Sequence, residues 1–172
     1  MKVTPQEIKK LFQMKPLQDE GGVYRPMYRS REILPAAVIP GRKGDHSLYT
    51  AIVYLLNGKC FSRMHRLPTE EIFHFYMGSP VEMLQLHPDG SGSVYRMGHD
   101  ILNGELVQLE VPRGTWQGTR LIPGGDWALL GTTMAPGFSP CDYEDGDLEA
   151  LQKAYPAYHD LLEFLAAPAV YE

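Results

Sequence analysis

The stretch from Ser62 to Gly78, SRMHRLPTEEIFHFYMG, decides how this chain is read. Apolar and polar residues alternate on both sides of Leu67-Pro68-Thr69, the pattern of two short strands joined by a turn. On the first strand Phe61, Arg63 and His65 share a face. On the second, Glu71, Phe73 and Phe75 share one face and Ile72, His74 and Tyr76 the other. If His65 and Glu71 both face inward they approach each other, and His74 points away. A histidine beside a carboxylate suits metal ligation or acid–base work.

The same rhythm runs outward in both directions. Strands are expected over 49–56, 59–66, 71–77, 81–87, 93–97, 106–111, 116–121 and 127–134. Asn57-Gly58, Gly78-Ser79-Pro80, Pro88-Asp89-Gly90, Asn103-Gly104, Pro112-Arg113-Gly114 and Pro123-Gly124-Gly125 separate most of them. Regular short strands with Gly/Pro punctuation indicate an all-β sandwich or barrel, and about eight is the count of a jelly roll. Residues 23–30 also read as extended. Thr4-Pro5-Gln6-Glu7 is a capping box that opens a short helix bearing Ile8, Leu11 and Phe12 and stopping near Lys15-Pro16. At the other end, 147–154 and 156–166 carry helical stripes, expected to cap one edge. One domain is expected over 1–172, with a barrel core at about 20–138 and a helical tail at about 147–166. Residues 31–45, with two prolines and two glycines, read as a mobile loop.

Bulk properties narrow the function. The formal net charge is −5, and the densest basic group, Arg25, Arg29 and Arg31, is short. That argues against a nucleic-acid partner, which needs a basic face to neutralise phosphates. No apolar run approaches the ~20 residues needed to span a bilayer. The opening MKVTPQEIKKLF lacks a signal-peptide core. Cys60 and Cys141 are too few for a disulfide framework. They read as reduced thiols of a cytoplasmic protein with no membrane partner.

The motifs of 58–78 and 112–117 resemble those of a cupin with two imidazoles missing. Gly58 is followed by four residues and Arg63-Met64-His65, so Arg63 stands where the first histidine would be. Glu71 is followed by six residues and Gly78. Pro112-Arg113-Gly114-Thr115-Trp116-Gln117 matches the second motif with Gln117 in place of histidine. Further segments occur in order: Glu20-Gly21-Gly22-Val23-Tyr24-Arg25, Tyr28-Arg29-Ser30, His65-Arg66-Leu67, Glu71-Ile72-Phe73-His74-Phe75, Gln108, Val111-Pro112 and Ala135-Pro136-Gly137-Phe138. This ordered set resembles the fifth cupin family, of unassigned function, in the dTDP-4-dehydrorhamnose-epimerase-like branch. The match runs from about Glu20 to Tyr155, with a departure at 139–143. The resemblance implies a double-stranded β-helix, a pocket inside the barrel and a homodimer, and no settled reaction.

Each candidate has a plain reading beside the functional one. His65 is a hydrogen-bonded core histidine, or a base or ligand in the pocket. Glu71 pairs with Arg63 or Arg66, or it ligates a metal or orients His65. Arg63 pairs with Glu71, or clamps an anion on a ligand. Gln108 and Gln117 satisfy backbone, or supply pocket hydrogen bonds. Phe73, Phe75 and Trp116 are core, or an aromatic pocket wall suited to an apolar ring or a sugar. Tyr24, Arg25 and Arg29 belong to an edge strand or to the pocket mouth. His74 reads as interface or surface, and His46, His87, His99 and His159 as surface. The expected ligand is a small molecule, anionic or sugar-like. No cofactor is firmly implied; a divalent metal, if held, would sit on His65, Glu71 and Gln117. Three functions compete: a metal-free isomerase or epimerase with His65 as base beside Glu71, a metal-dependent cupin enzyme, and a non-enzymatic ligand binder.

Overall fold

In the computed structural model residues 3–39 and 44–171 are described. Residues 40–43 of the loop expected over 31–45 lie outside the described residues.

The capping box forms as read. The Thr4 hydroxyl accepts from the Glu7 amide, and the Glu7 carboxylate accepts from the Thr4 amide, opening α1 (Pro5–Phe12). The helix closes at Gln13 in a left-handed conformation, one turn short of Lys15-Pro16. Those two residues form β1 (Lys15–Pro16). Then come β2 (Val23–Arg29), β3 (Ile33–Leu34), β4 (His46–Ser47), β5 (Thr50–Asn57), β6 (Phe61–Arg66), β7 (Glu71–Gly78), β8 (Val81–Leu86), β9 (Gly92–Met97), β10 (Gln108–Val111), β11 (Trp116–Leu121), β12 (Trp127–Met134) and β13 (Glu144–Asp145). The chain ends in α2 (Leu148–Ala154) and α3 (His159–Leu165). All eight strands expected over 49–134 form, most shifted by one or two residues at an end.

Two antiparallel sheets face each other. One has the order β1-β2-β5-β12-β7-β10, the other β13-β6-β11-β8-β9. Sequence neighbours such as β6 and β7 fall in opposite sheets, while β5 pairs with distant β12 and β6 with distant β11. This is the all-β jelly-roll barrel of a double-stranded β-helix. Between the sheets lies a core that includes Tyr54, Leu56, Phe73, Phe75, Met83 and Leu130. It packs one end of the barrel shut. Burying side chains of this size stabilises by about 1.5–3 kcal/mol each before entropy is counted.

The helices do not cap an edge as expected. Both tail helices lie flat on the outer face of the five-stranded sheet, where Leu151, Leu162 and Leu165 pack on Phe61, Met64, Leu84 and Leu86. The reason is that β8 is apolar on both faces and β6 turns Phe61 and Met64 outward, so the outer side of this sheet also needs covering. On the outside of the other sheet α1 lays Ile8 against Val23, Val53, Leu55 and Leu129.

Three β-bulges set which side chains enter the barrel, one of them at Tyr76 of β7, past Phe75. Between β6 and β11, Ser62 pairs with Thr119 and His65 with Gln117, so Arg63 and Met64 together oppose the single residue Gly118. Between β2 and β5, Pro26 pairs with Ile52 and Tyr28 with Ala51, which leaves Met27 as the extra residue. An inserted residue reverses the face on which every later residue of that strand lies.

Candidate functional site

The open end of the barrel holds a cavity of about 200 Å³. Glu71, at the start of β7, forms part of its wall with Thr132 and Met134 of β12 and Thr50 and Ile52 of β5. Tyr24, Pro26, Tyr28 and Arg29 of β2, Glu20 of the preceding turn and Phe138 add further polar and aromatic lining. A second hollow of about 470 Å³ lies outside it, bordered by Lys15, Asp19 and Tyr143. The two share Leu17, Glu20, Tyr24, Phe138 and Pro140.

Glu71 is buried, and its carboxylate accepts a hydrogen bond of 2.7 Å from Gln117 Nε2. Burial pushes its carboxyl above the ordinary range and the charge of Glu20 adds to that, while His65, Gln117 and Thr132 act the other way. The pairing with Arg63 or Arg66 does not form. Arg63 bridges Asp145 at 3.0 Å, and Arg66 binds Glu144 through two hydrogen bonds of 2.7 and 2.8 Å. Gln117 donates through its amide nitrogen; among the described residues its buried Oε1 has no hydrogen-bond partner.

His65 is buried one layer behind the cavity. Its Nδ1 lies 2.7 Å from the Arg63 carbonyl. A carbonyl only accepts, so the proton sits on Nδ1. Nε2 faces Glu20 Oε2 at 4.0 Å, and the ring stacks on Tyr143 with 5.2 Å between centroids. Burial and the nearby Glu20 charge hold the Tyr143 phenol well above its ordinary value. Glu20 itself accepts a 2.6 Å hydrogen bond from the Ser62 hydroxyl.

Several residues expected in the pocket stand elsewhere. Arg63 does not share His65's face, because the bulge brings Ser62 and His65 to the same side and turns Arg63 outward to Asp145. Trp116 is adjacent to inward Gln117 and so points outward, where the Arg66 guanidinium covers its ring at 4.6 Å. Gln108 pairs with outward His74 across β10 and β7, and its amide donates to His74 Nδ1 at 3.1 Å. His74 Nε2 in turn donates to Thr133 at 3.0 Å. Arg25 is exposed on the face opposite Tyr24. Phe73 and Phe75 are inward, but they fill the closed end and do not line the cavity. Tyr24 does line it, with the Lys15 ammonium 5.5 Å above its ring. His46, read as surface, is buried with Nε2 2.7 Å from Asp142.

Sequence reasoning missed the role of Glu20. It reads as the first residue of a Gly-Gly turn, and its contacts lie more than forty positions away in sequence. The glycines are the available signal. Gly21 has φ +100°, and a Cβ there would strike the Phe61 carbonyl. Only glycine lets this turn lie against β6, and that presses Glu20 onto Ser62 and His65.

Metal ligation is a poor match to this donor set. Arg63 and Gln117 occupy two positions that would need imidazole, and Glu71 is tied to Gln117. Among the described residues no three His, Cys, Asp or Glu side chains lie close enough to hold an ion. Untagged protein expressed with iron, zinc, nickel and manganese available is expected to carry far less than one metal equivalent by elemental analysis. Near-stoichiometric metal that disappears in His65→Ala would overturn this.

A jelly-roll barrel with its polar row on β6, β7 and β11 defines a cupin. The family model described as "Cupin superfamily (DUF985)" matches residues 6–145, and the chain belongs to that family. It is 27% identical over 140 residues to the uncharacterized protein YML079W of Saccharomyces cerevisiae, covering 73% of this chain and 66% of the yeast protein, slightly under two thirds. The crystal structure of protein SO0799 from Shewanella oneidensis superposes with a TM-score of 0.84 at 28% identity, over 97% of this chain and 99% of that one. A hypothetical protein from Leishmania major gives 0.84 at 23%, over 99% and 100%, and shares the fold. So does oxalate decarboxylase from Bacillus subtilis, at TM-score 0.52 and 12% identity over 90% of this chain and 37% of that one. Among the described residues no helix is long and apolar enough to cross a membrane.

Proposed function

We propose that this protein binds a small anionic hydroxy-carbonyl compound and isomerises it by proton transfer, without a metal. The observation that carries this reading is Glu71: a buried carboxyl in the cavity wall, held by neutral partners and shifted toward its protonated form. A carboxylic acid kept protonated in a cavity can donate a hydrogen bond or a proton to a carbonyl oxygen. The cavity has the volume of about seven waters, enough for the reacting end of a sugar-sized molecule. The outer hollow accommodates the rest of a longer ligand, such as a sugar nucleotide.

Arg29 supplies the attraction for an anion. Its guanidinium is fixed at the rim by donating to Ser47 Oγ and the Phe138 carbonyl, both at 3.1 Å. The ion pairs of Arg63, Arg66, Arg113 and Arg120 lie elsewhere, and among the described residues Arg29 has none. In this reading His65 stands behind Glu20, 4.0 Å from its carboxylate, and does not itself touch the ligand.

Calorimetry with hydroxypyruvate, dihydroxyacetone phosphate and ribulose 5-phosphate tests the proposal. At least one is expected to bind, and Arg29→Ala to weaken it by roughly 10–100-fold, the worth of one hydrogen bond to a charge. Failure of all three to bind, or equal affinity in Arg29→Ala, would sink the anion-binding reading.

A further inference from the structure

We propose that Glu20 is the second proton-transfer residue of this cavity: its carboxylate takes the carbon-bound proton of the ligand while Glu71 protonates the neighbouring carbonyl oxygen. This rests on the isomerase reading above and assigns the base that reading leaves open.

Three features support it. Glu20 lies in the wall shared by the inner cavity and the outer hollow, so a ligand entering the barrel passes its carboxylate. Its two oxygens are differentiated. Oε1 is held by the Ser62 hydroxyl at 2.6 Å, whereas Oε2 has His65 Nε2 no closer than 4.0 Å, beyond hydrogen-bond distance. Oε2 therefore keeps lone pairs to accept a proton. The residue is also rigidly placed, because its carbonyl accepts from the Arg63 amide at 2.8 Å and Gly21, next in the chain, is packed against β6. Preorganisation of this kind is what proton transfer from carbon requires.

The two carboxyls also divide the work. The negative charge of Glu20 favours the protonated form of Glu71, so the site presents one base and one acid together. In the forward step the C–H bond breaks, its proton passes to Glu20, and its electrons form a carbon–carbon double bond. The carbonyl π pair takes the Glu71 proton. The products are an enediol, a Glu20 acid and a Glu71 carboxylate. Return of the Glu20 proton to the adjacent carbon, with a hydroxyl proton going back to Glu71, completes the isomerisation. Return to the same carbon regenerates the starting compound, carrying deuterium wherever the Glu20 acid proton has first exchanged with D₂O. No oxidant, reductant or co-reactant is consumed.

The test uses the full chain with the three compounds named above, in D₂O, tracking loss of the ligand C–H signal by proton NMR. Glu20→Gln keeps an oxygen to accept from Ser62 and is expected to retain ligand binding while exchange falls by about 10²–10⁴-fold. Glu20→Asp, which keeps the charge, is expected to restore part of it. In protein carrying ¹³C-labelled glutamate, Glu20→Gln is also expected to lower the titration midpoint of Glu71. Exchange that persists at the wild-type rate in Glu20→Gln overturns the role of Glu20 and leaves the cavity reading intact. An unmoved Glu71 midpoint does the same. Wild-type protein that binds a compound but exchanges none of its C–H protons overturns both.

Discussion

Glu71→Gln is expected to make the protein inactive in proton exchange and more heat-stable at pH 8. The loss of exchange should reach about 10²–10⁴-fold, the usual contribution of a positioned acid or base. The gain in stability comes from the direction of the shift. An unfolded glutamate titrates near pH ~4.3, and burial raises the folded midpoint above that value. Between the two midpoints the folded state binds more protons than the unfolded one, so stability falls as pH rises. Above the folded midpoint the full penalty of a buried carboxylate is present; below the unfolded one it is absent. Glutamine keeps a carbonyl to accept from Gln117 and carries no charge to desolvate. The wild type and Glu71→Gln should therefore melt alike near pH 4, and the variant should melt higher at pH 8. For a chain of this length each kcal/mol moves Tm by about 2–4 °C. A variant equally stable or less stable than wild type at pH 8 would show that the Glu71 charge is well compensated. Stability given up at one buried residue is a usual mark of a functional site.

Phe73→Ala should cost about 3–5 kcal/mol, a fall in Tm of roughly 6–20 °C. Phe73 is 1% exposed in the core between the sheets. It sits on β7, which pairs with β12 on one side and β10 on the other. The backbone there cannot easily collapse into the space a missing ring leaves. Leu102→Ala is the control, because that side chain is 95% exposed and its loss should change stability by less than about 0.5 kcal/mol. Urea unfolding of both variants gives the comparison. A cost under about 1 kcal/mol at Phe73 would mean that the closed end of the barrel is loosely packed. A loosened floor would also enlarge the cavity above it.

The inward faces of the strands were legible where the strands are regular. Over 71–75 the alternation of β7 is unbroken, so Glu71, Phe73 and Phe75 turn inward and His74 outward, as the residue pattern indicates. The same reasoning misplaced Arg63, because β6 is bulged and a bulge leaves no mark in a pattern of apolar and polar residues. On β2 the bulge at Met27 swings Arg29 over the cavity rim, while Arg25, before it, stays in solvent. The cation expected from Arg63 is thus provided by a different arginine. Gln108 was misplaced because its direction is set by pairing with His74, a partner 34 residues away.

Local patterning determined the strands, their turns, the capped first helix and the tail helices, because each depends on residues within a few positions of one another. Periodicity of two fixes a strand's faces, and Gly and Pro fix where it ends. The family was legible too, since the ordered motifs lie along the chain. What only the tertiary structure decided is the membership of the site. Glu20, Ser62, His65, Glu71 and Gln117 meet because a glycine turn lies on β6, because β6 pairs with distant β11, and because one residue is inserted opposite Gly118. Those are non-local events of backbone geometry, and a one-residue insertion moves a side chain from solvent to cavity with no change in composition or period.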